Sequence, residues 1–67
     1  MLNERLKELR AEKNYTLKYV SEQMNVTIRT ICRYEDGTRE PSIDMLIRLC
    51  DFYDVPADYL IGRTDNF

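Results

Sequence analysis

The fold is decided by residues 16–37, which read TLKYVSEQMNVTIRTICRYEDG. This stretch contains two short amphipathic segments separated by a break at Asn25. Each segment opens with a threonine, Thr16 or Thr27, whose hydroxyl can accept a hydrogen bond from a free N–H of a helix's first turn. Asparagine tolerates the left-handed backbone that closes a helix. The pattern therefore predicts two helices joined by a tight turn.

The apolar side chains of both segments are spaced to form one face of a helix. They are Leu17, Val20 and Met24 in the first segment, and Ile28, Ile31 and Tyr34 in the second, with Cys32 on the adjoining side. Ser21 is small where the second helix must approach the first. Two helices joined in this way form a helix-turn-helix, whose second helix can enter the major groove of DNA.

Three further helices are predicted around this unit. The five predicted helices cover about residues 2–12, 17–24, 28–35, 43–53 and 56–61, and residues 63–67 are predicted to be a frayed tail. Leu2, Leu6 and Leu9 give the first helix an apolar stripe. Pro56 suits the first position of the last helix, in which Tyr59 and Leu60 turn inward. The 67 residues are thus expected to form one all-α domain.

The fourth helix is predicted to begin after Ser42 and to bury one broad face. That face comprises Ile43, Leu46, Ile47, Cys50 and Tyr53. Cys50 is interpreted as a small core residue. Asn14 and Asp54 are expected in left-handed turns after the first and fourth helices.

Composition excludes several classes of function. The chain has no histidine, and Cys32 and Cys50 lack CxxC spacing, so neither a metal site nor a Cys–His nucleophile is expected. There is no phosphate-cradling glycine loop, so no enzyme activity, cofactor or small-molecule substrate is expected. Free thiols, the lack of a run of about 20 apolar residues, and the lack of a signal-peptide pattern predict a cytoplasmic protein without a membrane segment.

The distribution of charge is more informative than its sum. The formal net charge is −2, which by itself argues mildly against nucleic-acid binding. Arg29, Arg33 and Arg39 nevertheless lie close together in sequence, whereas many acids lie elsewhere, at positions 44, 51, 54, 58 and 65. The sequence therefore predicts a basic face on an acidic body.

Several short motifs recur together over residues 6–62. They are Leu6-x-x-Leu9-Arg10, the Thr16 cap, Val26-Thr27, Ile31-x-x-Tyr34-Glu35-x-Gly37, Pro41-Ser42, and Asp58-Tyr59-Leu60-Ile61-Gly62. In this pattern the chain resembles the phage Cro and repressor type of helix-turn-helix domain, the XRE family. The resemblance implies a compact five-helix, lambda-repressor-like fold with the helix-turn-helix at the second and third helices.

The sequence departs from the family pattern at a few positions. Leu17 stands where the family usually carries a glutamine that touches the DNA backbone or supports the reading helix, and leucine cannot make that hydrogen bond. Asn14, Asn25 and Asp54 stand where glycine is common, and Tyr34 where tryptophan or leucine is usual.

The resemblance also implies which residues contact DNA. Base edges would be faced by Thr27, Ile28, Arg29, Cys32 and Arg33, and phosphates by Lys18, Thr30, Thr38, Arg39 and Ser42. Arg29 or Arg33 can pair with guanine O6 and N7. Ile28 can pack on a thymine methyl group or belong to the core, and Cys32 can be a bystander. Lys18 and Arg39 can be ordinary solvated charges.

Arg10 and Glu35 form a separate expectation. The resemblance implies that the two side chains pair and tie the first helix to the end of the third. The alternative is two exposed charges.

Two functions follow from these patterns. The first is a sequence-specific regulator, acting as a repressor, that binds double-stranded DNA as a homodimer on an inverted repeat. Its dimer surface would use Phe52, Tyr59, Ile61 and Phe67, unless these are scattered surface residues. The second is a protein-interaction module of the same fold, antitoxin-like or an adaptor, which the acidic net charge and Leu17 favour.

Overall fold

All regular structure in residues 2–65, the part of the chain that the computed structural model describes, is helical. The helices are α1 (Leu2–Glu12), α2 (Leu17–Met24), α3 (Ile28–Asp36), α4 (Ile43–Tyr53) and α5 (Ala57–Leu60). This confirms the predicted all-α, five-helix fold. α3 ends one residue later than predicted, and α5 is shorter. Pro56 is the cap of α5 rather than its first residue, because its backbone is extended at φ −75° and ψ 154°.

The predicted capping residues begin the three longer helices that follow α1. In each case the side-chain hydroxyl accepts a hydrogen bond from a first-turn N–H. The N–H of Tyr19 donates to Thr16 at 3.0 Å, that of Thr30 donates to Thr27 at 3.2 Å, and that of Met45 donates to Ser42 at 3.2 Å. Each such cap contributes about 1 kcal/mol to helix stability. The sequence therefore determines locally where α2, α3 and α4 begin.

Left-handed residues close α1, α2 and α4, as predicted. Asn14 and Asn25 both have φ 58°, and Asp54 has φ 57°. At the turn between α2 and α3, the Val26 N–H donates to the Ser21 carbonyl at 3.0 Å. Ser21 itself is buried at 4% exposure, consistent with the close approach of the two helices.

The core draws on all five helices and on the connection before α5. Its fully buried apolar residues are Leu6, Leu9, Val20, Met24, Ile31, Tyr34, Met45, Leu49, Cys50, Tyr53, Val55 and Leu60. Cys32 and Cys50 are free thiols. Tyr59 is only half-buried. Among residues 2–65, no helix is both long enough and apolar enough to cross a membrane.

The predicted buried face of α4 is partly wrong. Ile43 and Ile47 are 78% and 54% exposed, whereas Met45 and Leu49 point into the core at 8% and 2% exposure. The helix is apolar on more than one side, so helical spacing fits two alternative faces equally well. Packing against α2 and α5 selects the face that contains Met45 and Leu49.

The prediction of a frayed tail is also wrong for residues 63–65. Arg5, which is 8% exposed, donates to the carbonyls of Tyr59 and Thr64 at 2.7 and 2.6 Å. It also pairs with the exposed carboxylate of Asp65 at 2.6 Å, and its guanidinium lies 4.3 Å from the centre of the Tyr59 ring. A buried arginine on α1 therefore holds this segment against the domain. Residues 66 and 67 lie outside the described part of the chain.

Arg10 and Glu35 form a two-pronged ion pair. Arg10 Nε donates to Glu35 Oε2 at 2.7 Å, and Nη2 donates to Oε1 at 3.1 Å. The remaining guanidinium nitrogen, Nη1, donates to the carbonyl of Tyr15 at 3.0 Å. The side chains are 20% and 7% exposed, and the hydrogen bond to Glu35 raises the pKa of Arg10. One guanidinium thus connects α1, the turn before α2, and the end of α3.

We expect Arg10→Met to lower the free energy of unfolding by about 3–5 kcal/mol, because it leaves the buried Glu35 carboxylate without its charge partner. Urea denaturation followed by circular dichroism measures this change. Lys7→Met, at an exposed position of the same helix, is the matched control and should stay within about 0.5 kcal/mol. An Arg10→Met change as small as that of the control would contradict the structural importance of the pair.

Tyr53 gives the fold a dependence on alkaline pH. Burial raises the pKa of Tyr53, and the nearby Glu35 carboxylate raises it further. Because the folded-state pKa lies above the unfolded value of about 10, the folded chain holds this proton more tightly. The resulting stabilisation is complete below the unfolded pKa and is lost as the pH rises toward the folded pKa. Burial raises the pKa of Cys50 as well, which acts in the same direction.

Above about pH 10 we therefore expect stability to fall by up to about 1.4 kcal/mol per pH unit from Tyr53. Tyr53→Phe removes this component and leaves the contribution of Cys50. Urea unfolding at about pH 8 and about pH 11 measures the free energy of unfolding of the wild type and of Tyr53→Phe. Parallel losses in the wild type and in Tyr53→Phe would contradict the assignment to Tyr53.

Candidate nucleic-acid interface

The exposed side of α3 is defined by what the helix buries. Ile31 and Tyr34 are 3% and 5% exposed and hold α3 against the core, with Glu35 beside them in the ion pair. Arg29 and Arg33, one helical turn apart, are exposed. Neither arginine forms an ion pair within residues 2–65. Both guanidinium groups are therefore available to an external partner.

The other residues implied to face bases lie at the start and along one flank of α3. Thr27 is exposed and Cys32 is half-buried. Ile28 is 44% exposed, so it does not belong to the core. Ile28 and Cys32 are one turn apart and form a row beside the row of Arg29 and Arg33. The structure thus presents one apolar row and one basic row on the same helix.

The first turn of α3 is held by its threonines. The hydroxyl oxygens of Thr27 and Thr30 lie 3.0 Å apart in a hydrogen bond, and Thr27 also accepts from the Thr30 N–H. Thr30 is half-buried. Its hydroxyl is already engaged, so its first role in the free protein is to stiffen the beginning of α3.

The other residues implied to contact phosphate are distributed over three further chain segments. Lys18 is exposed in the first turn of α2, and Thr38 and Arg39 are exposed in the connection after α3. Ser42 is exposed at the cap of α4. The guanidinium of Arg39 lies 6.0 Å from the centre of the Tyr34 ring. The first N–H groups of α2 and α4 add partial positive charge at Lys18 and Ser42.

A shallow hollow lies between α1, α2 and α3, and Leu17 is part of its wall. Its volume is about 220 Å³, and it is lined by Lys7, Arg10, Leu17, Cys32, Glu35 and Asp36. Leu17 is half-buried, so it contributes packing where a glutamine would contribute hydrogen bonds. The Arg10–Glu35 pair forms part of the same wall. The ion pair and Leu17 therefore border the surface beside Cys32.

Sequence reasoning missed two arginines that make long-range contacts, of which Arg48 lies next to the interface. Arg48 on α4 donates to the carbonyl of Met24 at 2.9 Å and so holds the last turn of α2, just before the helix-turn-helix turn. Nothing in the local sequence of α4 indicates this contact. Arg5 anchors the segment after α5, and here a signal exists. Arg5 lies three residues after Leu2 and four before Leu9, which places it on the buried stripe of α1.

The residues suggested for a dimer surface have different environments. Phe52 is half-buried in an aromatic cluster, with its ring centre 5.4 Å from that of Tyr15 and 4.9 Å from that of Tyr53. Tyr59 is half-buried beneath Arg5. Ile61 is 42% exposed, and Phe67 lies outside the described residues. Only Ile61, of the three described residues, is an exposed apolar side chain.

A different set of apolar residues is exposed around α4 and α5. We define the α4–α5 patch as Ile43, Leu46, Ile47 and Ile61. Ile43 and Ile47 lie one turn apart on α4. Leu46 is half-buried beside Ile43 on the helix, and it lines a cleft of about 410 Å³ together with Ile61. Isolated apolar residues are common on protein surfaces, but two exposed isoleucines one turn apart on α4, with Ile61 exposed after α5, are candidates for a contact surface.

Comparison with known proteins agrees with this architecture. A helix-turn-helix family model matches residues 6–60. The HTH-type transcriptional regulator ImmR of Bacillus subtilis is 38% identical over 64 residues, which cover 96% of this chain and 50% of ImmR. The HTH-type transcriptional regulator AnsR of the same organism is 40% identical over 60 residues, which cover 90% of this chain and 52% of AnsR. The chain thus spans about half the length of these curated relatives.

Solved structures show the same fold. The structure of SinR, described as the master regulator for biofilm formation in complex with DNA, superposes with a TM-score of 0.80 at 29% identity. The match covers 91% of this chain and 98% of the SinR chain in that structure. These relatives are regulators, a DNA-binding class of protein rather than a class of enzymes. The chain therefore belongs to the helix-turn-helix family of the phage Cro and repressor type, the XRE family.

Proposed function

We propose that this chain acts in the cytoplasm as a sequence-specific transcriptional repressor that binds double-stranded DNA as a homodimer. α3 lies in the major groove of each half-site of an inverted repeat. Thr27, Ile28, Arg29, Cys32 and Arg33 face the bases, and Lys18, Thr30, Thr38, Arg39 and Ser42 face the phosphates. The hydroxyl of Thr30 is also bonded to that of Thr27, so part of its hydrogen-bonding capacity is already used and it is the weakest member of the set.

One observation carries the proposal. Arg29 and Arg33 project from a helix that Ile31 and Tyr34 anchor from beneath, and no carboxylate among residues 2–65 neutralises them. An arginine fork suits bidentate recognition of guanine. The DNA complex of the structurally similar SinR supports the same use of the fold.

The dimensions of the domain favour a dimer on DNA. Its longest principal dimension is 29 Å, whereas successive major grooves on one side of the duplex are about 34 Å apart. One copy therefore reads one groove, and a second copy supplies the second half-site. We assign the contact between copies to the α4–α5 patch, because burial of its three isoleucines removes exposed apolar area from water.

Selection of bound duplexes from a random pool, followed by titration, tests DNA binding directly. We expect Arg29→Ala and Arg33→Ala each to weaken binding to the selected site by about 1–3 kcal/mol and to relax specificity at one position. Lys18→Ala should weaken all duplexes equally and reduce the slope of log K against log salt by about one.

Arg63→Ala, at an exposed arginine outside the proposed interface, is the control and should bind like the wild type. Failure to retain any duplex at low salt would overturn the proposal. That result would instead favour the protein-interaction module.

The dimer contact is tested separately. We expect Ile47→Glu to shift the chain toward the monomer in analytical ultracentrifugation and to remove cooperative binding to an inverted repeat, because it buries an unpaired charge between the copies. Tyr19→Ser, at a large exposed apolar residue on α2, should change neither result. A wild-type chain that remains monomeric on its inverted repeat would contradict the dimer.

A further inference from the structure

The reading face of α3 lacks the side chains that recognise adenine or cytosine. The five residues proposed to face bases include no amide and no carboxylate. Asparagine and glutamine are the bidentate partners of adenine, and glutamate and aspartate accept from cytosine N4. What remains are two arginines, which suit guanine, an apolar row, which suits the 5-methyl group of a pyrimidine, and Thr27, whose hydroxyl already bonds to that of Thr30 and has no fixed base preference.

Ile28 is the main member of that apolar row. It is 44% exposed at the first turn of α3, the end of a recognition helix that contacts base edges. The hydroxyl-to-hydroxyl bond between Thr27 and Thr30 stiffens the backbone beneath it. An exposed β-branched side chain on a fixed helix turn has few rotamers to lose on binding. Ile28 is thus a preorganised apolar contact.

The surface next to Ile28 on the helix is also free of hydrogen-bonding readers. Cys32 follows one turn later, and Leu17 lies with Cys32 in the wall of the same hollow. Leucine has no polar group, and a thiol is only a weak donor. This flank of α3 therefore gains little from the polar edge of a base pair and favours the methyl group, the apolar feature of the major groove.

The two rows meet adjacent positions on DNA. Arg29 lies three residues before Cys32, so these two side chains are neighbours on the helix surface and the basic row runs alongside the apolar row. An arginine that takes O6 and N7 of one guanine places its neighbour against the next base pair.

We propose that Ile28 makes this protein a reader of the 5-methyl group of a pyrimidine next to guanine. Thymine and 5-methylcytosine are favoured at that position, and uracil and unmodified cytosine are disfavoured. Methylation of a cytosine at the position of Ile28 then strengthens binding. This inference rests on the proposed function, because it requires α3 in the major groove.

Modified bases test the inference without changing the shape of the site. In the duplex selected from the random pool, each thymine is replaced singly by deoxyuridine, which removes only the methyl group. At one thymine next to guanine in each half-site, we expect the wild type to bind the deoxyuridine duplex about fourfold more weakly, the value of one buried methyl group. Replacing that pair by 5-methylcytosine–guanine should give about fourfold tighter binding than cytosine–guanine.

Substitution of Ile28 tests whether its side chain senses the methyl group. The two affinity ratios are thymine to deoxyuridine and 5-methylcytosine to cytosine. Ile28→Ala should bring both ratios close to one, and Ile28→Val, which retains the branched carbon, should preserve most of each ratio. Because Ile28 is exposed, both variants are expected to unfold at the wild-type urea midpoint. That measurement shows that altered ratios do not arise from misfolding.

The outcomes separate this inference from the proposed function. If the protein binds specifically but the thymine-to-deoxyuridine affinity ratio is near one at every thymine, the proposal that Ile28 reads the methyl group is wrong and DNA binding stands. Ratios of about four that persist in Ile28→Ala also overturn it, because another group then senses the methyl. Absence of specific binding to any duplex overturns the proposed function itself.

Discussion

The structure depends on the three-way contact of the Arg10 guanidinium with Glu35 and with the carbonyl of Tyr15. Glu35 immediately follows Tyr34, and each helical residue advances the side-chain direction by about 100°. Holding the Glu35 carboxylate at 7% exposure therefore fixes the rotation of α3 about its own axis. That rotation decides that Arg29 is exposed while Ile31 is buried. In a domain with few core residues, a directional constraint of this kind specifies what nonpolar packing leaves open.

The local sequence and the tertiary contacts agree along most of the chain. Threonine caps and an asparagine turn set the bounds of α2 and the start of α3 through local contacts, and the caps satisfy free N–H groups at the helix starts. The long-range polar contacts then hold the ends of these helices rather than their middles. Arg48 bonds the last turn of α2, and Arg10 bonds the last residues of α3. Such agreement between local sequence signals and long-range contacts is typical of a sequence that specifies one structure.

The sequence predicted the helices better than it predicted their faces and partners. Caps and left-handed residues are local signals, so the bounds of α2 and α4 agreed with the structure. The local sequence did not determine which face of α4 is buried, because Ile43 and Ile47 are as apolar and as regularly spaced as Met45 and Leu49. The anchored segment after α5 was missed because a buried arginine is rare and its acceptors are mostly backbone carbonyls. The base-reading residues stay a prediction, since exposure alone does not identify a ligand.

The acidic net charge has a consequence for the proposed interface. Long-range attraction to phosphate strengthens binding to every DNA sequence equally, and it falls steeply with salt. A chain of net charge −2 gains little from that attraction, because the acids outside α3 oppose the field of its arginines. Weaker attraction lowers binding to random DNA and to the correct site by a similar factor, so base contacts supply a larger share of the binding free energy at the correct site. With an acidic body, binding through the two arginines on α3 therefore depends more on contacts with the bases than on the long-range field of the protein.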